Sequence, residues 1–368
     1  MASSPYTDLD RPPLAARALQ RALVVPGGFW RRIEVLAETG STNADVADAA
    51  RAGAGEGLVV VAEQQVAGRG RRDRQWVSPP RAGLTLSVLL RPGVAEPGQG
   101  WAPAPQRTWG WLPLLAGVAL LDTVQRLAEV DAALKWPNDL LLNTGRDDAR
   151  PAGRDDARPA GRDDARPAGR DDARPAGRDD ARPAGRDDAR PAGPDDARAA
   201  GLGDAGTAGR DDSGTAGRGE AGTAGPGYAK GAGILAEVVG EAVVLGIGLN
   251  VTTRPEELPA TTGLPATSLQ AVGAKATDRD PLLRALLRGI AQWYSGWRDA
   301  GGDAEMCGLL AAYQRGCSTI GREVRVLLPN GAELAGVATT VDGDGQLALL
   351  TADGTERRVS AGDVLHVR

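Results

Sequence analysis

The sequence predicts an α+β protein, in which a domain with a mixed sheet is followed by a small β-barrel. Before residue 318, short apolar runs with strand-like alternation are interleaved with segments of helical spacing. After residue 318, the pattern changes to short strands separated by Asn-Gly and Asp-Gly turns, which is typical of a small barrel. A long repetitive segment without a hydrophobic face interrupts the first domain.

Periodicity and the residues that end each run place the elements ahead of the repetitive segment. Alternating apolar residues predict strands at 33–38, 58–64 and 84–90, and then a hairpin or bent strand at 133–136 and 139–142. Helical spacing predicts a short helix at 43–51, which Gly53 ends, and a long buried helix at 111–128.

The elements after the repetitive segment follow from the same signals. Two strands, 233–238 and 242–249, flank Gly240 and are expected to pair antiparallel. An amphipathic helix is predicted at 281–298 and a shorter helix at 304–315. The strands of the barrel follow from residue 318 onward.

Residues 146–226 are an insertion of low complexity. It begins with six exact copies of RDDARPAG and contains no aromatic residue, isoleucine or valine. Because it has no apolar face to bury, it cannot offset its ordering entropy and is predicted to be disordered; a repeat solenoid would need an apolar stripe. Closing a loop of this length costs on the order of 2.5 kcal/mol more than a short turn. We therefore expect its ends to mark a surface turn between two neighbouring elements.

Charge and rare residues exclude several classes of function. The chain carries 43 Lys and Arg against 48 Asp and Glu, so a general nucleic-acid or membrane-binding surface is not supported. The only cysteines, Cys307 and Cys317, are too few for a disulfide framework or a cysteine zinc site. With His366 as its single histidine, the chain has no multi-histidine metal site, and a Ser-His-Asp or Cys-His relay is not expected. Catalysis is therefore expected from Lys, Arg, carboxylates, amides and backbone groups.

The amino-terminal residues are polar and Pro-rich, and they do not resemble a secretory signal. No apolar run approaches the roughly 18 residues that a membrane-spanning helix needs. A cytoplasmic location is the expectation.

The strongest local signal is GRGRRDRQW at residues 68–76, directly after a predicted strand. Glycines let backbone N–H groups approach an anion closely, and guanidinium groups match phosphate or carboxylate with two parallel hydrogen bonds. The segment lacks the Gly-Lys-Ser/Thr of a P-loop. We predict an anion-binding loop; an exposed arginine-rich turn and a nucleic-acid contact are the alternatives.

Three further motifs carry polar or glycine residues at strand ends. In LKWPNDL, Lys135 stands between Leu and Trp and is expected to be partly buried, so its ammonium should face an anion or its pKa should shift. The alternative is that the side chain extends from a strand edge and keeps its ammonium in water. In GSTN, Thr42 and Asp45 fit a capping box, and the helix N-terminus also offers donors to a polar ligand. In GIGLN, glycines at alternate positions indicate a ligand or another backbone against the sheet, or plain strand packing.

Taken in order, GSTN, EQQVAGRGRRDRQW, LKWPNDL, GILAE and GIGLN resemble the motifs of biotin protein ligases, of the monofunctional type without a DNA-binding domain. The resemblance extends over residues 30–368 with the insertion left out. It implies a class II aminoacyl-tRNA-synthetase-like catalytic domain at 29–317, interrupted by 146–226, and an SH3-like barrel at 318–368. Residues 1–28 are expected to be a flexible segment, too short and Pro-rich for a helix-turn-helix. Asp73 departs from the family, in which glycine is common at that position of the arginine loop.

The resemblance implies a reaction in two steps. Biotin and ATP give biotinyl-5′-AMP and pyrophosphate, and a lysine of a biotin carboxyl carrier domain then attacks to form an amide. Mg²⁺ is expected with ATP, with Asp139 as a candidate ligand. The expected partner is the carrier domain of a biotin-dependent carboxylase, with neither DNA nor a membrane, and the chain is expected to be a monomer or weak homodimer.

The resemblance also assigns site residues position by position. Lys135 would bridge the carboxyl oxygen and the α-phosphate, while Arg69 and Arg71 would clamp the biotin carboxylate and the triphosphate. The implied biotin-binding residues are Ser41, Thr42, Asn43, Gln65, Gly68, Arg69, Lys135 and Gly233. The implied ATP- and adenylate-binding residues are Arg69, Gly70, Arg71, Trp76, Lys135, Asn138, Gly248 and Asn250.

Two other functions compete with this one. A lipoate ligase or octanoyl transferase would share the fold and the acyl-transfer logic, but the arginine loop together with LKWPNDL favours biotin. A DNA-binding regulator that uses biotin as corepressor is disfavoured by the short amino-terminal segment and by the absence of an excess of basic residues.

Overall fold

The computed structural model describes residues 11–71, 74–145, 227–260 and 264–367. The predicted disorder of the insertion and the predicted effect of Asp73 lie outside these residues. Asn143 pairs with Tyr228 in antiparallel register, and the Thr144 N–H donates to the Gly227 carbonyl at 2.6 Å. The insertion therefore joins two strands that are neighbours in space, as the sequence predicts.

Seven strands form a mixed sheet, in the order β1-β2-β3-β7-β6-β5-β4. The pair β1–β2 is parallel and the other neighbours are antiparallel. The strands are β1 (Arg32–Leu36), β2 (Leu58–Ala62), β3 (Gly83–Leu90), β4 (Ala132–Lys135), β5 (Asp139–Asn143), β6 (Tyr228–Val239) and β7 (Ala242–Asn250).

Side-chain alternation divides the sheet into two faces. On β7, Val243, Leu245, Ile247 and Leu249 join the main hydrophobic core, while Val244 joins a smaller core on the opposite face. Successive side chains of a strand point to opposite faces, so the glycines of GIGLN lie on the same face as Val244. This face carries the cleft described below.

In the part of the chain that the structure describes, five α-helices pack with the sheet: α1 (Ala16–Leu23), α2 (Thr42–Arg51), α3 (Trp111–Thr123), α4 (Arg279–Asp299) and α5 (Leu309–Gly316). A π-helical turn, Val124–Ala128, extends α3. Helix α3 is buried nearly all round and packs with α4 on the main core. Helix α2 buries Val46, Ala47 and Ala50 in the smaller core. No helix among the described residues is long and apolar enough to span a membrane.

The carboxyl-terminal strands form a separate antiparallel sheet, in the order β11-β10-β9-β8-β12. They are β8 (Glu323–Leu327), β9 (Glu333–Val341), β10 (Leu347–Leu350), β11 (Glu356–Val359) and β12 (Asp363–His366). The indole N–H groups of Trp111 and Trp136 donate to the carbonyls of Gly343 and Gly345 in the β9–β10 turn. These bonds join the barrel to α3 and to the end of β4.

Two predictions from the sequence are wrong. Residues 11–28 are not a flexible segment, because α1 buries Leu19 and Leu23 completely or almost completely and Arg11 is 5% exposed. The second is the shorter carboxyl-terminal helix, which begins at Leu309 and not at residue 304. Gly308 adopts φ +77° immediately before it, a left-handed conformation that interrupts helical geometry.

Candidate active site

A cleft of about 630 Å³ opens on the sheet face that carries the β7 glycines. Its walls come from the start of α2, the arginine loop (residues 68–71 and 74–76), the β4–β5 turn, strands β6 and β7, and β12 of the barrel. All site residues predicted from the sequence line it except Gly68. They are Ser41, Thr42, Asn43, Gln65, Arg69, Gly70, Arg71, Trp76, Lys135, Asn138, Asp139, Gly233, Gly248 and Asn250.

The β7 glycines make room for two polar or aromatic side chains. A Cβ atom on Gly246 would overlap the Asn43 amide, and one on Gly248 would overlap the Trp76 indole. The indole therefore lies directly against the strand, where any larger residue would displace it. The sequence predicts that something lies against these glycines, and the structure identifies it as side chains of the same chain.

One end of the cleft is a buried polar network around Thr42. Gln65 Oε1 accepts hydrogen bonds from the Thr42 backbone N–H (2.7 Å) and hydroxyl (3.0 Å). Ser87 Oγ lies 2.8 Å from Thr42 Oγ1 and donates to Asn43 Oδ1 at 2.6 Å, while Asn43 Nδ2 donates to Glu237. This end can recognise a compact polar group that both donates and accepts hydrogen bonds.

Ser87 and Glu237 were missed as site residues by the sequence reasoning. Ser87 is fully buried in β3, whose other residues are apolar or glycine except Thr85. A polar side chain at an alternate position of an apolar strand was the signal that could have found it.

The predicted capping box at α2 is wrong. The N-cap is Ser41, which makes no side-chain capping bond, and Asp45 instead accepts a hydrogen bond from the Thr39 hydroxyl at 2.6 Å. Because Gln65 accepts the Thr42 N–H, the helix start is satisfied across the cleft wall rather than within the helix.

Two lysines face one carboxylate at the centre of the cleft. Lys230 Nζ lies 2.6 Å from Asp139 Oδ1, and Lys135 Nζ lies 3.8 Å from Asp139 Oδ2. Burial lowers the pKa of Lys135 below its ordinary value, although Asp139 opposes the shift. Burial also raises the pKa of the Asp139 carboxyl, but Lys230 and Lys135 outweigh it and hold that pKa below its ordinary value.

The cluster therefore brings two lysine side chains to one carboxylate, so basic groups outnumber acidic ones at the centre of the cleft, where an anion can bind. Lys230 is absent from the residues that the resemblance assigned, although it is one of only three lysines in the chain. Its side chain is 29% exposed, so it remains open to the cleft. The antiparallel pairing of β5 with β6, which sequence spacing does not reveal, brings it to Asp139.

The arginine loop is fixed at both ends and by side chains. The Trp76 N–H donates to the Gly68 carbonyl at 3.0 Å, and the Gly70 N–H donates to the Arg74 carbonyl at 2.6 Å. Gly68 lies beneath the cleft lining, where a Cβ atom would overlap the Trp76 carbonyl. The fold of the loop itself therefore requires a glycine at position 68.

Two arginines of the loop make cross-links to other elements. Arg71 Nη1 donates to Asn138 Oδ1 at 3.1 Å, and Asn138 Nδ2 donates to the Ile234 carbonyl on β6. Arg74 Nη2 donates to both carboxylate oxygens of Asp363 on β12. The loop is therefore connected to the lysine cluster and to the barrel.

The far end of the cleft holds Trp76 and Asn250. The buried Nε1 of Trp76 has no hydrogen-bond partner among the described residues, although the rest of the indole packs on β7. Asn250 Nδ2 donates to the Thr267 carbonyl at 2.9 Å. Pro259, Ala260, Leu264 and Ala266 supply an apolar wall beside them. An aromatic face next to apolar and amide groups suits a flat heterocycle.

The barrel contributes the last wall of the cleft. His366 is 1% exposed, and its Nε2 lies 3.1 Å from the Thr319 hydroxyl, which also accepts a hydrogen bond from the Trp136 backbone N–H. Burial, together with the positive charges of Lys135 and Arg322, lowers the pKa of His366 to about 4. The histidine is therefore neutral near pH 7 and links the barrel to the residue that follows Lys135.

Comparison with known proteins gives consistent matches. Residues 40–146 match the sequence family described as "Biotin/lipoate A/B protein ligase family", and residues 319–367 match "Biotin protein ligase C terminal domain". The chain is 35% identical to the biotin–[acetyl-CoA-carboxylase] ligase of Mycobacterium tuberculosis, over 98% of this chain and 100% of that protein. It is 37% identical to the bifunctional ligase/repressor BirA of Bacillus subtilis, over 28% of this chain and 29% of that protein.

Solved structures give the same fold. The biotin protein ligase of Aquifex aeolicus in complex with biotin and ATP superposes with a TM-score of 0.55 at 19% identity, covering 92% of this chain and 100% of that one. A second structure of the Aquifex aeolicus ligase gives a TM-score of 0.53 at 17% identity, covering 92% of this chain and 99% of that one. The predicted fold class, a synthetase-like mixed-sheet domain with a carboxyl-terminal barrel, is confirmed.

Proposed function

Because the chain belongs to the biotin protein ligase family, we propose that it activates biotin with ATP as biotinyl-5′-AMP and transfers the biotinyl group to a lysine of a biotin carboxyl carrier domain. The observation that carries this proposal is the junction of the lysine cluster with the arginine loop inside one cleft. A carboxylate and a triphosphate can meet there only if their charges are neutralised, and this junction supplies the cations.

The polar network is the proposed site of the biotin ring system. A ureido group presents N–H donors and a carbonyl acceptor, and Thr42 and Gln65 offer a hydroxyl and an amide group to the cleft, with Ser87 bonded to Thr42 behind them. Ser41 and Asn43 complete this end of the cleft. A buried polar wall rejects ligands that leave its groups unpaired, which favours a ureido ring over an apolar chain.

Lys135, Lys230 and Asp139 occupy the proposed place of bond formation. When the biotin carboxylate attacks the α-phosphorus, negative charge accumulates on the phosphoryl oxygens and the departing pyrophosphate. Ammonium groups held in a partly buried site stabilise that charge without having to reorganise. Asp139 sets the geometry, because it contacts both lysines and so holds them near one another.

Arg69, Gly70 and Arg71 are proposed to hold the phosphates and the biotin carboxylate. Guanidinium groups bind phosphate through paired hydrogen bonds, and glycine allows close approach of backbone N–H groups. Trp76, Gly248 and Asn250 are proposed to receive the adenine, with Asn138 between the loop and the lysines.

Transfer follows in the same cleft. The carrier lysine attacks the carbonyl carbon of biotinyl-5′-AMP, an amide bond forms, and the bond between that carbon and the phosphate oxygen breaks as AMP leaves. The cations that stabilise the first step also stabilise the AMP leaving group, so one site serves both steps.

Mg²⁺ was expected, and the described residues do not build a site for it. No three His, Cys, Asp or Glu side chains come together among the parts of the chain that the structure describes. Asp139, the predicted candidate, has its two oxygens facing lysine ammonium groups. Magnesium would therefore arrive with the ATP phosphates as part of the substrate, and no step here depends on a protein ligand to it.

The direct test is incubation of the full chain with biotin, ATP and a biotin carboxyl carrier domain, followed by intact mass. The carrier should gain one biotinyl group, and omission of ATP or replacement of the target lysine of the carrier should abolish the gain. Absence of labelling with a carrier that an established biotin ligase modifies would refute the proposal.

Two parallel measurements address the alternatives. Lipoate or octanoate in place of biotin should give no product, and labelling with either would favour the related ligases. A gel-shift assay with DNA should show no complex with or without biotin, consistent with the expectation that DNA is not a partner. We also propose that the reaction takes place in the cytoplasm and that the chain acts as a monomer or weak homodimer.

A further inference from the structure

The amino-terminal residues 11–14, here called the N-terminal strap, bond to two segments of the chain that also supply cleft residues. Two buried charges hold the strap. Arg279 donates to the Pro12 carbonyl at 2.6 Å, and the Leu14 N–H donates to Glu63 Oε1 at 2.6 Å. Arg279 and Glu63 also form an ion pair of 2.6 Å, with side chains 5% and 8% exposed. The strap is therefore anchored at the end of β2, two residues before Gln65.

From this anchor, Arg11 reaches the loop that follows β7. Its Nη2 donates to Glu257 Oε2 at 2.6 Å and to the Thr252 carbonyl at 2.8 Å, and its Nη1 donates to Glu257 Oε1 at 3.2 Å. The Arg11 side chain is 6% exposed. A buried guanidinium that bonds both oxygens of a carboxylate is a geometrically specific contact, unlike an exposed surface ion pair.

The contacted loop forms one wall of the cleft. We call residues 251–260 and 264–266 the nucleotide-side loop. It leaves the sheet at Asn250 and returns beside Lys230, whose backbone N–H donates to the Pro265 carbonyl at 2.7 Å. Between these points, Pro255–Glu257 form a short 3₁₀ turn in which Glu257 also accepts the Arg254 N–H. Pro259 and Ala260, which follow this turn after Leu258, line the same cleft as Trp76 and Asn250.

We propose that Arg11 is a positioning residue for the nucleotide half of the cleft, acting through Glu257 and Thr252 on the nucleotide-side loop. This proposal rests on the function proposed above. A loop fixed before ATP arrives loses less conformational entropy when the nucleotide binds, so the strap should raise affinity for ATP more than affinity for biotin.

The electrostatics of Glu257 agree with this role. The hydrogen bonds from Arg11 contribute most to lowering the pKa of the Glu257 carboxyl, so Glu257 is ionised at neutral pH and remains bound to Arg11. The strap thus connects the end of β2, which adjoins the biotin end of the cleft, with the loop at its other end.

The test compares Arg11→Ala with Arg17→Ala in the full chain. Arg17 lies on the exposed side of α1 and serves as the matched control for loss of an arginine near the amino terminus. Removal of Arg11 should raise the KM for ATP in biotin-dependent pyrophosphate release about tenfold, the size of one charge-assisted hydrogen bond. The Kd for biotin should stay within about twofold, as expected for a residue that acts on one ligand only.

A second experiment exchanges the charges of Arg11 and Glu257. In Arg11→Glu combined with Glu257→Arg, the ion pair is restored in reverse, and the KM for ATP should return toward the parent value from the higher values of either single variant. Glu257→Gln keeps the shape of the side chain but removes its charge. If Arg11→Ala does not fold, the KM for ATP of Glu257→Gln provides the same test.

Two outcomes would overturn the inference. One is an unchanged KM for ATP in Arg11→Ala and Glu257→Gln. The other is an equal loss of biotin and ATP affinity together with a lower melting temperature, which would make the strap a structural element only. If the parent chain itself shows no biotin-dependent pyrophosphate release, the proposed function fails instead, so the two failures are distinguishable.

Discussion

Lys135 is the residue on which the proposed chemistry depends most directly, because its ammonium is buried beside Asp139 and Lys230. Replacing Lys135 with Ala should slow adenylation by about 2–4 kcal/mol of barrier, comparable to loss of a transition-state hydrogen-bond donor. The Kd for biotin should change much less. Pyrophosphate release is the measurement.

Lys275→Ala is the matched control, because Lys275 is 72% exposed and pairs with Glu129 away from the cleft. It should leave the rate unchanged. A Lys135→Ala rate within about threefold of the parent would remove Lys135 from the charge-stabilising role, since such a change is below 1 kcal/mol. The charge would then be stabilised by Lys230 and the arginines of the loop.

His366 gives a pH-dependent contribution to stability. Its pKa falls from an ordinary value of about 6.5 to about 4 on folding, so the folded state disfavours the charged form. The stability that the neutral histidine allows is present above pH 6.5 and is lost as pH falls toward 4, because only the unfolded chain takes up the proton in that window. Urea unfolding of the parent and His366→Gln between pH 8 and 5 measures this.

The parent should lose up to about 1.4 kcal/mol per pH unit more than His366→Gln between pH 6.5 and 5. Equal slopes in both proteins would mean that His366 is not buried as a neutral group. Carboxylates titrate mainly below this range, and they affect the parent and the variant alike.

At the scale of elements, the arginine loop is expected to retain the adenylate more than to form it. Arg71 joins the loop to the β4–β5 turn through Asn138, so Arg71→Gly removes that connection as well as a cation. Water and free amines should then reach the anhydride more easily. Release of biotinyl-5′-AMP and nonspecific lysine labelling, measured by mass spectrometry, should both increase.

Arg81→Gly changes an arginine outside the loop at a position with φ +60°, where glycine is favoured, and provides the control. It should retain the adenylate as the parent does. If Arg71→Gly forms and retains biotinyl-5′-AMP normally, the loop does not act as a clamp.

The sequence predicts the bounds of helices and strands well where neighbouring residues determine those bounds. Strands β3 and β7 were found to within about a residue or two because alternation and turn residues set their ends. It failed where contacts distant in sequence decide: the helix start at Thr42 is satisfied by Gln65, and the segment at 11–14 is ordered by Glu63, Glu257 and Arg279. Strand pairing brings Lys230 into the cleft, and Ser87 supports the cleft wall from behind through its hydrogen bond to Thr42; no local spacing reveals either contact.

At the scale of the whole molecule, the insertion should be dispensable for catalysis. Asn143 and Tyr228 already pair across its ends, so a short Gly/Ser turn can replace residues 146–226 while Tyr228, Ala229 and Lys230 are kept. The shorter connection lowers closure entropy by on the order of 2.5 kcal/mol, so stability should hold or rise slightly. The measurements are melting temperature and kcat/KM for biotin, ATP and the carrier.

A loss of about tenfold or more for the carrier alone, equivalent to 1.4 kcal/mol, would show that the insertion recruits the carrier. A large fall in melting temperature would show that it is folded structure that supports the sheet, against the disorder that its sequence predicts.

The central claim is that one cleft joins biotin to AMP before any carrier arrives, and isotope exchange tests it most directly. Labelled pyrophosphate should enter ATP when the chain is incubated with ATP and biotin, with no carrier present, because the adenylation step is reversible while the adenylate stays bound. Lys135→Ala should depress the exchange and Lys275→Ala should not. Exchange without biotin, exchange supported equally by lipoate, or no exchange in a chain that binds both ligands would contradict the account.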